Sequence, residues 1–174
     1  MIELERTYLA KEIPKDLKKY KSKEIIDIYI PKDSDHAPIR IRKNGDKYEI
    51  TKKRPVEGDA SRLHEQNIIL DESEFKEFLK LEGKKVHKIR YLYDYKGLTA
   101  EFDVFQGRLK GLVLVDFEFE SEEQKNSFKM PDFCLADVTG EELIAGGVIC
   151  SKTYEDLEPF LKKYNYKKLF IDEN

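Results

Sequence analysis

Apolar and polar residues alternate at period two along most of this chain, and glycine, proline and asparagine interrupt the alternation at short intervals. That pattern predicts an antiparallel β protein. Eight strands are expected: 2–10, Glu24–Ile30, Ile39–Lys43, Lys47–Lys53, Arg62–Leu70, Lys85–Tyr95, Leu98–Phe105 and Leu112–Glu120. Asn44-Gly45-Asp46 and Lys96-Gly97 supply tight turns, because asparagine and glycine accept the positive φ that such turns need. Pro31 ends the second strand, and Arg54–Ala60, with Pro55, Gly58 and Asp59, reads as a loop. A period near 3.6 replaces the alternation in a few places. Asp71–Leu81 carries Phe75, Phe78 and Leu79 on one face, with Asp71 as N-cap, Glu74 three residues on, and Gly83 as the stop. Ser121 caps a short helix through Phe128, and Tyr154–Tyr164 has the stripe Leu157, Phe160, Leu161 and Tyr164. Lys15–Lys23 reads as a turn or short helix, and the segment from Val138-Thr139-Gly140 fits neither period. A helix between hairpins indicates an α+β fold around an antiparallel sheet.

The polar positions are unusual in being charged, in both signs, at repeated i, i+2 spacing. Leu114-Val115-Asp116-Phe117-Glu118-Phe119 places two carboxylates one pleat apart on one face. Ile2-Glu3-Leu4-Glu5, Ile39-Arg40-Ile41-Arg42, Thr51-Lys52-Lys53, Lys88-Ile89-Arg90 and Glu101-Phe102-Asp103-Val104 repeat the arrangement. A one-sided sheet with a solvated polar face accounts for this alternation equally well. Eight strands, however, suffice to close a barrel around a small ligand. Closed with the charges inward, the wall carries Arg40, Arg42, Lys53, Lys88 and Arg90 against Glu3, Glu5, Glu65, Glu101, Asp103, Asp116 and Glu118. Ile41, Ile68, Phe102, Val115 and Phe117 then face outward, under the helices. Such an interior needs compensation from opposed charges, water, metal ions or a charged ligand. Paired carboxylates suit Mg²⁺ or Mn²⁺, and arginine and lysine suit phosphate, so a metal-bound polyphosphate would satisfy both.

Composition narrows the rest. Charged residues make up 39% and apolar ones 40%, with a net charge of −3, which does not favour a nucleic-acid coat. No apolar run approaches the roughly 20 residues of a membrane helix. The opening Met1-Ile2-Glu3-Leu4-Glu5-Arg6 is no secretory core. Cys134 and Cys150 form no CxxC pair, so a reduced, cytoplasmic setting is expected. His36, His64 and His87 lack metal spacing. The expected partner is a small triphosphate or polyphosphate, taken by a monomer or homodimer.

The ordered series of charged strands resembles the CYTH domain, or triphosphate tunnel metalloenzyme, superfamily. Its N-terminal Glu-x-Glu-x-Lys signature reads Glu3-Leu4-Glu5-Arg6-Thr7 here. The Arg40, Lys53, Glu65, Lys88–Arg90, Glu101–Asp103 and Asp116–Glu118 motifs follow in the family order, and Val138-Thr139 resembles its C-terminal Val-Thr turn. The likeness covers about residues 1–150 of a single domain over 1–174, with 151–174 a helical tail. It implies an eight-stranded antiparallel tunnel acting on triphosphates with Mg²⁺ or Mn²⁺. Glu3, Glu5, Glu65, Asp116 and Glu118 become metal ligands, and Arg40, Arg42, Lys53 and Arg90 triphosphate ligands. Lys88 becomes the helper of the attacking water, while Glu101 and Asp103 line the tunnel or pair with its cations. Inorganic tripolyphosphate is the simplest substrate. Thiamine triphosphatase activity, class IV adenylyl cyclase activity and a weakened phosphate-binding role are the alternatives. The chain departs from the pattern at Thr7 (for lysine), at Asn67 (for a second glutamate), and after Thr139.

Overall fold

In a computed structural model, which describes residues 2–171 except 36, 58, 82 and 83, the strands close on themselves. They are β1 (Ile2–Ala10), β2 (Ser22–Ile30), β3 (Ile39–Asn44), β4 (Lys47–Val56), β5 (Asp59–Leu70), β6 (Lys84–Tyr95), β7 (Leu98–Phe105), β8 (Val113–Phe119) and β9 (Cys134–Asp137). The order β5-β4-β3-β2-β6-β7-β8-β1 is antiparallel throughout, and β1 meets β5 again to complete an eight-stranded barrel. The closing seam is shared. Ile2–Leu4 of β1 pair with Arg62–His64, while Tyr8–Ala10 pair with β9 on the same edge. Between them, the Val138 amide donates to the Thr7 carbonyl at 2.9 Å.

The expected loop at Arg54–Ala60 is instead the end of a longer hairpin, with Pro55 opposite Leu63 and a register shift at Pro55/Val56. A bulge tolerates a residue that has no N–H to give to the ladder. Strand β9 is absent from the sequence reading: four residues following a proline carry too little alternation to register. Gly58, Gly83 and His36, named above as loop, helix stop and isolated histidine, lie outside the described residues.

Outward-facing side chains are apolar and mostly covered. Tyr8, Phe102, Val115 and Phe117 are at most 1% exposed, beneath Phe128 and Phe133. Helix α1 (Glu72–Phe78) lays Phe75 and Phe78 over Ile28 and Ile41. Its start is fixed by the Asp71 amide, which donates to Glu74 Oε2 at 2.8 Å. Ile68 also points outward, but it is 63% exposed. Helix α2 (Glu122–Ser127) begins where the Gln124 amide donates to Ser121 Oγ.

Inside, each strand changes character along its length. Glu3, Glu5 and Thr7 on β1 give way to Leu9; Asp116 on β8 gives way to Leu114, and Asp103 on β7 to Phe105. The apolar end is filled by the C-terminal segment: a 3-10 turn at Glu142–Ile144, then α3 (Gly146–Ile149) and α4 (Tyr154–Lys162). Ile144, Ile149, Leu157, Phe160 and Leu161 pack there with Leu9, Tyr29, Val86 and Phe105. The undecided segment after Thr139 is thus the stopper of the barrel. Gly146 sits where a Cβ would run into the Tyr29 hydroxyl, so glycine lets the segment approach this closely.

Candidate active site

The charged half of the barrel encloses a cavity of about 650 Å³. Every candidate site residue lines it: Glu3, Glu5, Arg40, Arg42, Lys53, Glu65, Lys88, Arg90, Glu101, Asp103, Asp116 and Glu118. Period-two alternation brings them there, since cross-strand partners share a face. Glu5 lies opposite Glu118, Lys53 opposite Glu65, Arg90 opposite Asp103 and Glu101 opposite Asp116. Asp27 and Glu49 join them by the same parity. Asp27 was legible in principle, as one acid inside an otherwise apolar strand.

Three ion clusters organise the wall. Asp103, 1% exposed, binds both Lys88 and Arg90; the Arg90 contacts are 2.6 Å from Nε to Oδ1 and 2.7 Å from Nη2 to Oδ2. Arg90 also donates to Glu101, and to Asp116 Oδ2 at 3.2 Å. Burial alone would push the Asp103 carboxyl up. The Arg90 guanidinium and the Lys88 ammonium outweigh it and hold the carboxyl well below the usual range. Lys88 moves the other way: burial pushes its ammonium down, and Asp103 only partly restores it.

The second cluster is Asp27 with Arg42, a bidentate pair at 2.6 and 2.7 Å. Both groups are buried, so this cation is largely spent on its own wall. In the third cluster, Lys53 Nζ binds Glu3 and lies 3.0 Å from Glu65 and 3.5 Å from Glu5. Burial would raise Glu65, but Lys53 and the Asn67 amide bring it down to about 2. Asn67, where a glutamate was expected, thus serves as a hydrogen-bond donor to Glu65. Arg40 differs from the other four cations in forming no ion pair among the described residues, and its Nε is buried and unpartnered.

Thr7, in place of the signature lysine, donates from Oγ1 to Asp116 Oδ1 at 2.7 Å. Its amide donates to Thr139 Oγ1 at 3.1 Å. The two carboxylate oxygens of Asp116 are therefore held from opposite sides, by Thr7 and Arg90.

The balance of charge bears on metals. Among the described residues, eleven carboxylates and five cations line the cavity. Burial, together with Glu101 and Glu3, pushes Glu118 up to about 7. Burial outweighs Lys53 to raise Glu5 as well, with Asp116 and Glu3 adding to the rise. Carboxylates crowded this way lack counter-charge, and their oxygen-only chemistry fits Mg²⁺ or Mn²⁺. No group of three ligand side chains stands close enough to cage an ion among the described residues. The Lys53 ammonium lies among Glu3, Glu5 and Glu65 and draws their oxygens onto itself.

The remaining candidates stay outside this chemistry. His64 is exposed, and His87 meets Glu24 at 3.2 Å. Both cysteines are buried and unpaired, and burial pushes the Cys134 thiol up to about 12.

No protein-family profile matches the chain. It is 33% identical over 146 residues to an inorganic triphosphatase of Nitrosomonas europaea, across 82% of this chain and 92% of that one. The chain belongs to the CYTH-domain triphosphate tunnel metalloenzyme family. An inorganic triphosphatase of Acetivibrio thermocellus is 30% identical over 131 residues, across 75% of this chain and 81% of its own length. A crystal structure of an inorganic triphosphatase superposes with a TM-score of 0.62 at 26% identity, across 85% of this chain and 93% of that one. The eight-stranded antiparallel barrel with flanking helices is thus the tunnel fold of its triphosphatase relatives. No helix of the described residues is long and apolar enough to cross a membrane.

Proposed function

We propose that this tunnel protein hydrolyses inorganic tripolyphosphate with Mg²⁺ or Mn²⁺. The observation that carries the reading is the lumen itself, where an excess of carboxylates faces five cations in one enclosed space. A polyphosphate alone would be repelled there, whereas a polyphosphate carrying divalent cations supplies both missing charges. Glu3, Glu5, Asp116 and Glu118, with Glu65 beside them, would hold the metal. Bound there, it would neutralise phosphate oxygens and polarise the phosphorus under attack.

Arg40, which forms no ion pair among the described residues and whose Nε is unpartnered, is the cation most available to phosphate. Were a metal bound by Glu3, Glu5, Glu65 and Asp116, Lys53 and one face of Arg90 would be freed towards phosphate. Arg42, locked to Asp27, has little charge left to give and serves mainly as a fixed part of the wall. Lys88 orients the attacking water, whose proton leaves on a phosphate oxygen of the products. The water oxygen forms a bond to the terminal phosphorus as the bridging P–O bond breaks, giving phosphate and pyrophosphate. Positioning and charge stabilisation suffice for this step.

A phosphate-release assay across tripolyphosphate, thiamine triphosphate and ATP, with each metal, tests the reading. Release from tripolyphosphate, lost in Glu3→Ala, is expected; a background trace unchanged by Glu3→Ala would falsify it. The second reading is a protein that holds a polyphosphate intact. It draws on Thr7, which gives Asp116 a hydrogen bond where the signature has a cation. Calorimetry that shows binding, with the ligand whole after long incubation, would favour it.

A further inference from the structure

We infer that the stoppered end of the barrel carries a second anion site, outside the tunnel, that takes a small phosphate species such as inorganic phosphate or pyrophosphate. A surface concavity there is lined by Lys32, Asp33, Lys84, Lys85, Arg108 and Ser151. These come from the turn after β2, the start of β6, the turn before β8 and the end of α3. Four cations face one acid, in a chain whose net charge is −3.

The lumen clusters hold their lysines and arginines on carboxylates, as with Lys88 and Arg90 on Asp103 and Arg42 on Asp27. Lys84, Lys85 and Arg108 form no ion pair among the described residues. They are tethered to backbone carbonyls instead: Lys84 Nζ to Ser34 at 2.9 Å, Lys85 Nζ to Leu79 at 3.4 Å, and Arg108 Nη2 to Cys150 and Lys85 at 3.2 and 3.4 Å. A carbonyl fixes a side chain without cancelling its charge. The guanidinium spends only Nη2 on these contacts, leaving donors on Nε and Nη1 for an oxyanion. The Ser151 hydroxyl, which donates to Val148 at 2.9 Å, adds a lone pair able to accept from a protonated phosphate oxygen. Anchored cations in excess of acids around a concavity are what a compact, multiply charged anion requires. No divalent metal is needed, because this site is positive where the lumen is negative. The site also adjoins the stopper, since Gly147 and Ile149 line the tunnel while Ser151 lines the concavity.

The test is an amide-resolved NMR titration of the metal-free protein with inorganic phosphate and with pyrophosphate. It is run on the wild type, on Lys85→Gln/Arg108→Gln, and on Lys19→Gln/Lys47→Gln as a control of equal charge change. We expect saturable shifts at Lys85, Arg108 and Ser151, at least tenfold weaker in the first variant and unchanged in the control. Unshifted tunnel amides in both variants report that the fold survives. Shifts confined to the tunnel, or equal weakening in both variants, would overturn the assignment. A phosphoserine peptide forms the last arm: binding as tight as that of the free anion would overturn the choice of an inorganic ligand. The outcome is independent of turnover, so a protein that fails to hydrolyse tripolyphosphate can still pass.

Discussion

Replacing Asp103 with asparagine tests the electrostatic account of the lumen most directly. The carboxylate is the shared counter-ion of Lys88 and Arg90, and all three side chains are largely withdrawn from water, at 1, 11 and 11% exposure. An amide of the same shape keeps the packing but leaves two cations facing each other. Breaking a buried pair from one side costs about 3–5 kcal/mol, and a chain of this size loses roughly 2–4 °C of Tm per kcal/mol. A fall of about 6–20 °C is therefore expected at neutral pH. The pH dependence separates this cause from simple misfitting. In the wild type, the depressed Asp103 pKa contributes stability that is full above the unfolded value, about 3.9, and is lost as pH falls through the folded one. In the variant that term is gone, and Lys88, already pushed down by burial, has lost its partner. Its unfolded form binds the proton more strongly, so stability must rise with pH up to about 10.4, the unfolded lysine value. Urea unfolding of both proteins from about pH 2 to 10 reads both effects. A loss under about 1 kcal/mol, or a variant whose stability is flat with pH, would refute the reasoning.

Other consequences are as specific. Glu118 is raised to about 7, so Mn²⁺ affinity should climb as pH passes through 7, and Glu118→Gln should remove that step; calorimetry at pH 6 and 8 measures it. The same raised pKa means that the metal-free protein loses stability between about pH 4.3 and 7, where the folded state holds the extra proton; thermal melts with and without Mn²⁺ should converge at low pH. Arg40→Gln breaks no internal ion pair, so its Tm should hold. Its affinity for tripolyphosphate should fall about 10- to 150-fold, the worth of one charged hydrogen bond at roughly 1.5–3 kcal/mol, as read by equilibrium binding in Ca²⁺. Leu157→Ala empties a fully buried position in the stopper and should cost about 2–5 kcal/mol in chemical denaturation.

The barrel was readable because a pleated strand allows only two faces. Once Ile41, Phe102 and Phe117 claim one side, Arg40, Asp103 and Asp116 must take the other. The hairpin at Asn44-Gly45-Asp46 fixed a register that carries Arg42 opposite Glu49. What stayed hidden depends on contacts far apart in the chain. The first part of the stopper, Glu142 to Ile149, has no period of its own until Leu9, Val86 and Phe105 present an apolar floor to it. Strand β9 exists only because β1 offers an edge that β5 leaves free beyond Leu4. At the site, residue types and faces were legible, but pairings were not. Nothing in the spacing says that Lys53 would clasp Glu3, Glu5 and Glu65, or that Arg42 would be spent on Asp27. Those choices follow from barrel curvature, which decides who meets across the lumen.

A chamber stoppered at one end has a single doorway. Whatever enters must back out the same way, so on the proposed reading departure of pyrophosphate and arrival of the next molecule compete for one passage. A long phosphate polymer cannot be threaded through and cut in its middle. It can only be nibbled from its tip, with the remainder trailing in solvent.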